Sequence, residues 1–381
     1  MKYAADRFAG ASAGLTLDAD AVSRYSDLID LSIGDTDFTT DERIIDAAME
    51  DARAGYTHYG FPKGDPELIA AIRSAWQEDF AQTIAEDEVL ITASSCLGMY
   101  QVLAAVLNPG DEVLVLAPYF AIYRQQIEMA GGVCVEVPSS EEEGFALNAE
   151  RIASAVTSRT RAVIVNNPCN PTGAAYSRED LQMLSDLAKA HDLLLLADEI
   201  YTRYVFEGEF IPLRTLPGME PYVITLNSFS KNFMMTGWRV GCVIAPPEVI
   251  RTIHMINGAM IYSAPSVSQR AAIKALALRR DIERLYVSRY GERVAYASER
   301  ISGIPYMTLA RPRGTFYLFP GIRKTGLSSA AFCKAALEQA HVLMSPGHVF
   351  GACGEGHVRI AVTQPMPALT EAFDRLQSLK F

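Results

Sequence analysis

Seven short apolar runs, separated by longer stretches with helical periodicity, restrict the fold of this chain more than any other feature. They are VLIT (89–92), EVLVL (112–116), VCVEV (133–137), AVIVN (162–166), LLLLA (193–197), YVITL (222–226) and GCVIA (241–245). Runs that are apolar without alternation suit strands covered on both faces, as in a mostly parallel sheet flanked by helices. Between them, Asp65-Pro66-Glu67 opens a stretch with Leu68, Ile72 and Trp76 on one face, and Ser177 to Asp180 opens another with Leu181, Leu184 and Leu187. The expectation is an α/β domain over residues 45–280. After residue 280 the pattern changes to a long charged helix (DIERLYVSRYGERVAYASERI), a short strand at TFYLF (315–319), a helix around SAAFCKAALEQA and a strand at HVRIAV (357–362). That reads as a smaller α+β unit over residues 281–381, joined by residues 1–44. Two units also fit a chain of 381 residues, which exceeds the size at which one core keeps growing.

Charge and cysteine usage exclude several functions. A formal net charge of −11, with no local run of Lys and Arg, opposes nucleic acid as a partner. The cysteines at 96, 134, 169, 242, 333 and 353 contain no CxxC pair and lie far apart, which fits reduced thiols and the cytoplasm. Asp6 and Arg7 interrupt the N-terminal stretch before any sustained apolar run, and no segment reaches about eighteen apolar residues, so neither secretion nor membrane insertion is indicated. The six histidines show no HxxxH spacing, so a metal site has little support. There is no GxxxxGK[ST] or GxSxG, and GACGEG (351–356) precedes a strand instead of opening a helix.

Four strand ends carry polar residues where open α/β sheets place ligands. TASSC (92–96) runs into LGMYQVLAAVL, so its amides lie at a helix N-terminus, suited either to an anion or to an ordinary serine cap. NNPCNPTG (166–173) holds the Asn170 amide on a rigid turn in which an X-Pro bond is a candidate for cis. Asp198 ends the fully apolar LLLLADEIY run and needs a partner, either a local arginine or a protonated ring nitrogen of a bound molecule. In SFSKNFMMTGWRVG (228–241), Lys231 is crowded by Phe229, Met234 and Met235, with Arg239 eight positions on. A nucleophilic lysine at neutral pH needs its pKa lowered by about three units, ~4 kcal/mol, and burial beside a second cation acts in that direction. Ser228, Ser230 and Arg239 offer donors for a phosphate.

Taken together, these motifs resemble those of the pyridoxal-phosphate-dependent aminotransferases of classes I and II, fold type I. The resemblance runs in order through LSIGDTDF (31–38), YGFPKG (59–64), TASSC, NPGDEVLVLAPYFAIY (108–123), NNPCNPTG, ADEIY, SFSKNFMMTGWRVG, GTFYLF and HVRIA. It implies that Lys231 forms the Schiff base with pyridoxal 5'-phosphate and acts as general base, and that Asp198 pairs with the pyridine nitrogen. Tyr201 and Asn170 would bond the ring's phenolic oxygen, and Phe120 would stack on its face. Ser94, Ser95, Cys96, Ser228, Ser230 and Arg239 would hold phosphate, with Tyr59 reaching across from a second subunit of a homodimer. Arg359 would grip the substrate carboxylate, with Gly34 closing beside it. The activity implied is amino transfer between an L-amino acid and a 2-oxo acid by ping-pong chemistry. The chain departs from the family in carrying a serine at 94 where glycine is usual, and Cys169 before Asn170. A C–S β-lyase is the alternative with the same anchoring residues, and a non-catalytic, cofactor-binding regulatory protein is a third reading.

Overall fold

The computed structural model describes residues 24–381. Its strands are β1 (Ile29–Asp30), β2 (Val89–Thr92), β3 (Glu112–Ala117), β4 (Val133–Pro138), β5 (Thr160–Asn166), β6 (Leu194–Asp198), β7 (Val223–Ser228), β8 (Gly241–Ile244), β9 (Tyr317–Leu318), β10 (Val342–Leu343), β11 (Ser345–Pro346) and β12 (Val358–Ala361). All seven apolar runs of the central region form strands of one sheet, in the order β2-β8-β7-β6-β5-β3-β4. Only β8 is antiparallel to its neighbours, β2 and β7. The other six strands therefore end at the same edge of the sheet, and β8 begins there.

The absence of alternation in the apolar runs has its cause in the layers. Leu114, Val163, Val165 and Leu195 point to one side, where they pack with Leu181 and Leu184 of helix Arg178–His191. Val113, Val115, Ile164 and Leu196 point to the other, against Met99, Val102 and Leu103 of helix Ser95–Val106. Each such side chain contributes about 1.5–3 kcal/mol by leaving water, so neither face tolerates a polar set. The flanking helices start where the sequence marks them. Asp65 caps helix Pro66–Phe80 by accepting from Glu67 N at 2.9 Å. Ser177 and Asp180 form a reciprocal capping box, Asp180 N to Ser177 Oγ at 3.1 Å and Ser177 N to Asp180 Oδ2 at 2.9 Å.

The C-terminal segment forms a three-stranded antiparallel sheet, β11-β12-β9. There β1 pairs in parallel with β10, Ile29 opposite Val342, so residues near the start of the chain pack with those near its end. Two expectations are shortened here. The strand at TFYLF contracts to Tyr317–Leu318, because Thr315 takes φ +58 and turns the chain just before it. The long charged helix is divided into Arg279–Ile282, a wider turn over Glu283–Val287, and Ser288–Ser302. All six cysteines are free thiols, and no helix among the described residues is long and apolar enough to cross a membrane.

Candidate active site

The strand ends and the C-terminal unit enclose a cavity of about 930 Å³. Gly34, Phe120, Asn170, Asp198, Tyr201, Lys231 and Arg359 all line it. These residues come from stretches more than three hundred positions apart in the chain, brought together because the sheet's carboxyl edge faces β12 and the turn after β1.

Asp198 closes β6 and is 6% exposed. Its Oδ2 accepts from the Tyr123 hydroxyl, while Oδ1 has no hydrogen-bond partner among the described residues. Burial raises its carboxyl pKa to about 6, opposed by the Tyr123 hydroxyl and by the Ile200 N–H. A buried carboxylate with one oxygen unsatisfied is costly unless a donor arrives, and a cationic donor suits it best. Tyr123 is absent from the site expected from sequence. It follows Phe120 by three residues at the helix start after β3, and both line the cavity.

Lys231 lies in helix Phe229–Asn232, directly after β7. Its Nζ donates to the Gly34 carbonyl at 2.5 Å. Burial pushes its pKa down to about 8; the Arg359 and Arg239 charges act in the same direction, against the carboxylate of Asp35. Arg359 acts more strongly than Arg239, the cation that sequence spacing suggests. At pH 7 about one such amine in ten is neutral, against roughly one in a few thousand for an ordinary lysine. Phe229, Met234 and Met235 belong to the core beneath this helix, so they fix it in place.

Around the start of β8 the small residues converge. Ser228 pairs with Gly241, and a side chain at 241 would meet Ser95 N at 2.7 Å and Ser94 C at 2.9 Å, so β8 passes here only as glycine. Ser94, at φ +102, caps helix Ser95–Val106 by accepting from Leu97 N at 3.3 Å. The ordinary cap is therefore real, and it leaves the first-turn amides of Ser95 and Cys96 aimed outward. Gln126 Nε2 reaches Cys96 Sγ at 3.5 Å. The Ser228 and Ser230 hydroxyls are 2.9 Å apart. Arg239, exposed and at φ +53, donates to Thr236 O at 2.7 Å, and its charge acts on both Cys96 and Lys231.

Arg359, on β12, is 3% exposed. Nη1 donates to Asn170 Oδ1 at 3.1 Å, and Nη2 to Ser32 O at 2.5 Å and Ser345 Oγ at 3.4 Å. Its guanidinium lies between the rings of Tyr317 (4.6 Å) and Phe350 (4.8 Å), and Nε has no partner among the described residues. Burial lowers its pKa, though a guanidinium stays charged at neutral pH. Asn170 is fixed in turn by its own N–H to Asn166 Oδ1, 2.7 Å, and Asn166 Nδ2 reaches Asp198 O at 3.0 Å. The bonds Asn167–Pro168 and Asn170–Pro171 are both cis. Tyr317, also absent from the expected set, brings its hydroxyl to 3.3 Å from that of Tyr201. Gly34 lies so close to it that an added Cβ would be 1.6 Å from the Tyr317 oxygen, and its carbonyl engages Lys231 instead of Arg359. Tyr59 lies outside the cavity, 85% exposed, with its ring against Tyr262 at 5.1 Å.

A lysine with a lowered pKa, a carboxylate with one oxygen unpartnered among the described residues and a buried arginine fork share one cavity. Such a site can hold a carboxylic acid, move a proton at an adjacent carbon and seat a cationic heterocycle. Comparison with known proteins agrees. Residues 26–376 match the model of the family described as aminotransferase class I and II. The chain is 36% identical over 366 residues to the aspartate aminotransferase of Pyrococcus abyssi, covering 94% of this chain and 93% of that one. It is 35% identical over 356 residues to an arginine–pyruvate transaminase of Pseudomonas aeruginosa, covering 93% and 90%. The crystal structure of the aromatic aminotransferase from Pyrococcus horikoshii superposes with a TM-score of 0.90 at 36% identity, covering 94% of this chain and 97% of that one. With its fold, its cavity and its relatives in agreement over nearly the whole length, this chain belongs to the aminotransferase class I and II family.

Proposed function

We propose that this aminotransferase works with pyridoxal 5'-phosphate seated in the cavity, and that Lys231 is the residue joined to its aldehyde. The observation that carries this reading is that Lys231 and an Asp198 whose Oδ1 has no partner among the described residues line one cavity. The residues present fit the cofactor. Asp198 supplies the anion for a protonated pyridine nitrogen, Phe120 a ring face, and Tyr201 and Asn170 polar groups beside the ring. Ser95 and Cys96 offer outward amides, with Ser94, Ser228, Ser230 and Arg239 around them for a phosphate.

When bound, the cofactor supplies an aldehyde that takes up the amino group and a ring that withdraws electrons from the substrate's Cα–H bond. The protein does the rest. Arg359 binds the α-carboxylate through a two-pronged contact, and Asn170, bonded to that guanidinium at 3.1 Å, sets its angle. Lys231, with its pKa near 8, is neutral often enough to take the Cα proton, and its ammonium form then holds that proton for redelivery. The Gly34 carbonyl, 2.5 Å from Nζ, holds the amine on the substrate side. Tyr123 favours the ionised form of Asp198 by donating to it, and the carboxylate so held would pair with a protonated ring nitrogen.

Elimination at Cβ is not favoured, because the relatives are named for amino transfer. Reducing the protein with borohydride while it carries the cofactor, then digesting it, tests the assignment. The label is expected on the peptide containing Lys231; its appearance on another peptide, or nowhere, overturns the reading.

Three further parts belong to this proposal. Residues 45–280 form the cofactor domain, with 1–44 and 281–381 as the smaller one, supported by the separate sheets and by the β1–β10 pairing. A homodimer in which Tyr59 reaches the partner's phosphate is supported by the exposure of Tyr59, Phe61 and Met255. Residence in the cytoplasm is supported by six free thiols.

A further inference from the structure

Lys231 belongs to a helix of a single turn, Phe229–Asn232, too short to hold its own shape in water and with end carbonyls left over for partners outside it. Met234 N comes only to 3.5 Å from the Lys231 carbonyl. A side chain from another segment fixes that carbonyl: the Tyr204 hydroxyl donates to it at 2.8 Å. One residue on, Asn232 Nδ2 donates to Thr202 Oγ1 at 2.8 Å, and Arg203 N donates to Asn232 Oδ1 at 3.4 Å. The three partners are consecutive in the chain and directly follow Tyr201, on the segment that leaves β6. One short stretch therefore presents Tyr201 to the cavity and grips the helix that carries the lysine.

Tyr204 is itself held on every side. It is fully buried, its N–H bonds to Tyr201 O at 2.8 Å, and its carbonyl accepts from Thr315 N at 2.8 Å. A side chain at Gly314 would come within 2.7 Å of that carbonyl, so the C-terminal unit approaches Tyr204 here only as glycine. Its ring lies edge-on to Phe316 (5.3 Å) and to Tyr201 (6.1 Å), and Lys231 Nζ lies 6.0 Å over the same Phe316 ring. Tyr204 thus bonds the lysine's main chain and backs the ring beneath its amine. Packing alone asks for no hydroxyl at 204, since phenylalanine would fill the ring's volume; the hydroxyl serves the Lys231 carbonyl. Burial, with Tyr290, Tyr317 and Asp37 acting the same way, holds its pKa well above the usual tyrosine range, so it remains a donor. Tyr290, 5.7 Å away in the same aromatic cluster, gives its hydroxyl to Asp37 at 2.8 Å instead. The position of the amine matters because a misplacement of about 1 Å can cost a proton transfer roughly a hundredfold in rate.

We propose that Thr202 and Tyr204 are positioning residues for amino transfer: they clamp the one-turn helix and so fix where the Lys231 amine stands, with the Tyr204 hydroxyl as the stronger hold. The proposal rests on the reading of Lys231 as the amine that carries the proton, and the test separates the two. Tyr204→Phe keeps the ring and removes only the hydroxyl. In the folded, cofactor-free protein, amidination of Lys231 by methyl acetimidate is followed against pH by peptide mass, which gives the amine's midpoint without any turnover. The parent midpoint is expected near 8. In Tyr204→Phe the helix is free to shift and water reaches Nζ, so the midpoint should rise by at least half a unit toward the ordinary lysine value; Asp35, Arg359 and Arg239, the charges that act on the amine, are unaltered by the substitution. In the cofactor-loaded enzyme, kcat should fall at least fivefold with KM within twofold, and the isotope effect of a Cα-deuterated donor should rise as proton transfer becomes the slower step. The donor is whichever of L-aspartate, L-phenylalanine and L-alanine the parent uses fastest. A hydroxyl that served stability alone would lower the melting temperature on removal and leave the midpoint and the isotope effect at parental values; either value unchanged overturns the proposal. So does an equal loss in Tyr290→Phe, which takes a hydroxyl from the same cluster without touching the lysine helix and is expected to behave as the parent. Should Tyr204→Phe fold poorly, Thr202→Val decides, with kcat expected at least threefold lower at the same KM, and an unchanged kcat overturning the clamp. Borohydride labelling of the loaded parent distinguishes the two failures: label absent from Lys231 overturns the lysine reading and the clamp with it, whereas label at Lys231 with parental behaviour in Tyr204→Phe overturns the clamp alone.

Discussion

Replacing Lys231 by methionine should stabilise the cofactor-free protein, and the gain should fade as pH rises. Lys231 has a pKa near 8 in the folded protein against a reference of 10.5. Its folded-state value is depressed, so below pH 8 the unfolded chain binds the proton more tightly and the folded state carries a cost. At 1.36 kcal/mol per unit, that cost is about 3 kcal/mol at pH 7 and falls to about 1 kcal/mol at pH 10, since stability rises with pH wherever the unfolded state holds more protons. Methionine keeps much of the side-chain volume and removes the titration. It also removes the hydrogen bond to Gly34 O; the pH dependence of that bond is already contained in the folded-state pKa, and the remainder cancels in the comparison. The double difference is therefore about 2 kcal/mol. With an unfolding entropy of about 2 cal/mol/K per residue, a chain of this size shifts by roughly 2 to 3 °C for that amount. Thermal unfolding of parent and Lys231→Met, at pH 7 and pH 10 and at one protein concentration, measures it. A melting difference that stays constant, or grows, between pH 7 and pH 10 refutes the claim that burial and neighbouring cations lower the lysine's pKa.

Three other outcomes are expected. Arg359→Lys removes the fork and its aromatic stacking, and should raise KM for the amino acid by about ten- to a hundredfold, corresponding to ~1.5–3 kcal/mol, with a smaller change in kcat; steady-state kinetics decide this, and an unchanged KM contradicts the anchor. Tyr123→Phe withdraws the donor to Asp198, so its carboxyl pKa should rise above about 6. Cofactor affinity should then be lost at a higher pH than in the parent as the solution is acidified, which fluorescence titration across pH 5 to 8 would show (about half a unit or more); coincident profiles would count against it. Gly34→Ala forces a methyl into the Tyr317 hydroxyl, and should cost about 1–3 kcal/mol of stability together with most of the activity; a variant with parental melting temperature and rate would show that the contact yields freely.

Much of the site was legible along the chain because its chemistry sits at strand ends. Asp198 reads as a carboxylate stranded at the end of an apolar run, and Lys231 as a lysine wedged among bulky side chains; the structure places both in one cavity. Asn170 sits on a turn that prolines make rigid, and it touches Arg359. Tyr123 and Tyr317 were not legible as site residues, because nothing in APYFAIY or GTFYLF separates a core tyrosine from one whose hydroxyl meets Asp198 or Tyr201. Ser94 shows the reverse case, since its hydroxyl is committed to capping a helix, and only geometry reveals which of the neighbouring amides remain free.

Local periodicity determined the seven-stranded layer, the helix starts and the candidate lysine, because those depend on how each short segment partitions between water and core. Chain folding alone decided that β8 runs against its neighbours, and that Arg359 acts on Lys231 more strongly than Arg239, which is nearer along the sequence. Electrostatic coupling and cavity shape depend on distance through space, and residues 34, 231 and 359 become neighbours only once the sheet edge and the C-terminal unit close on each other.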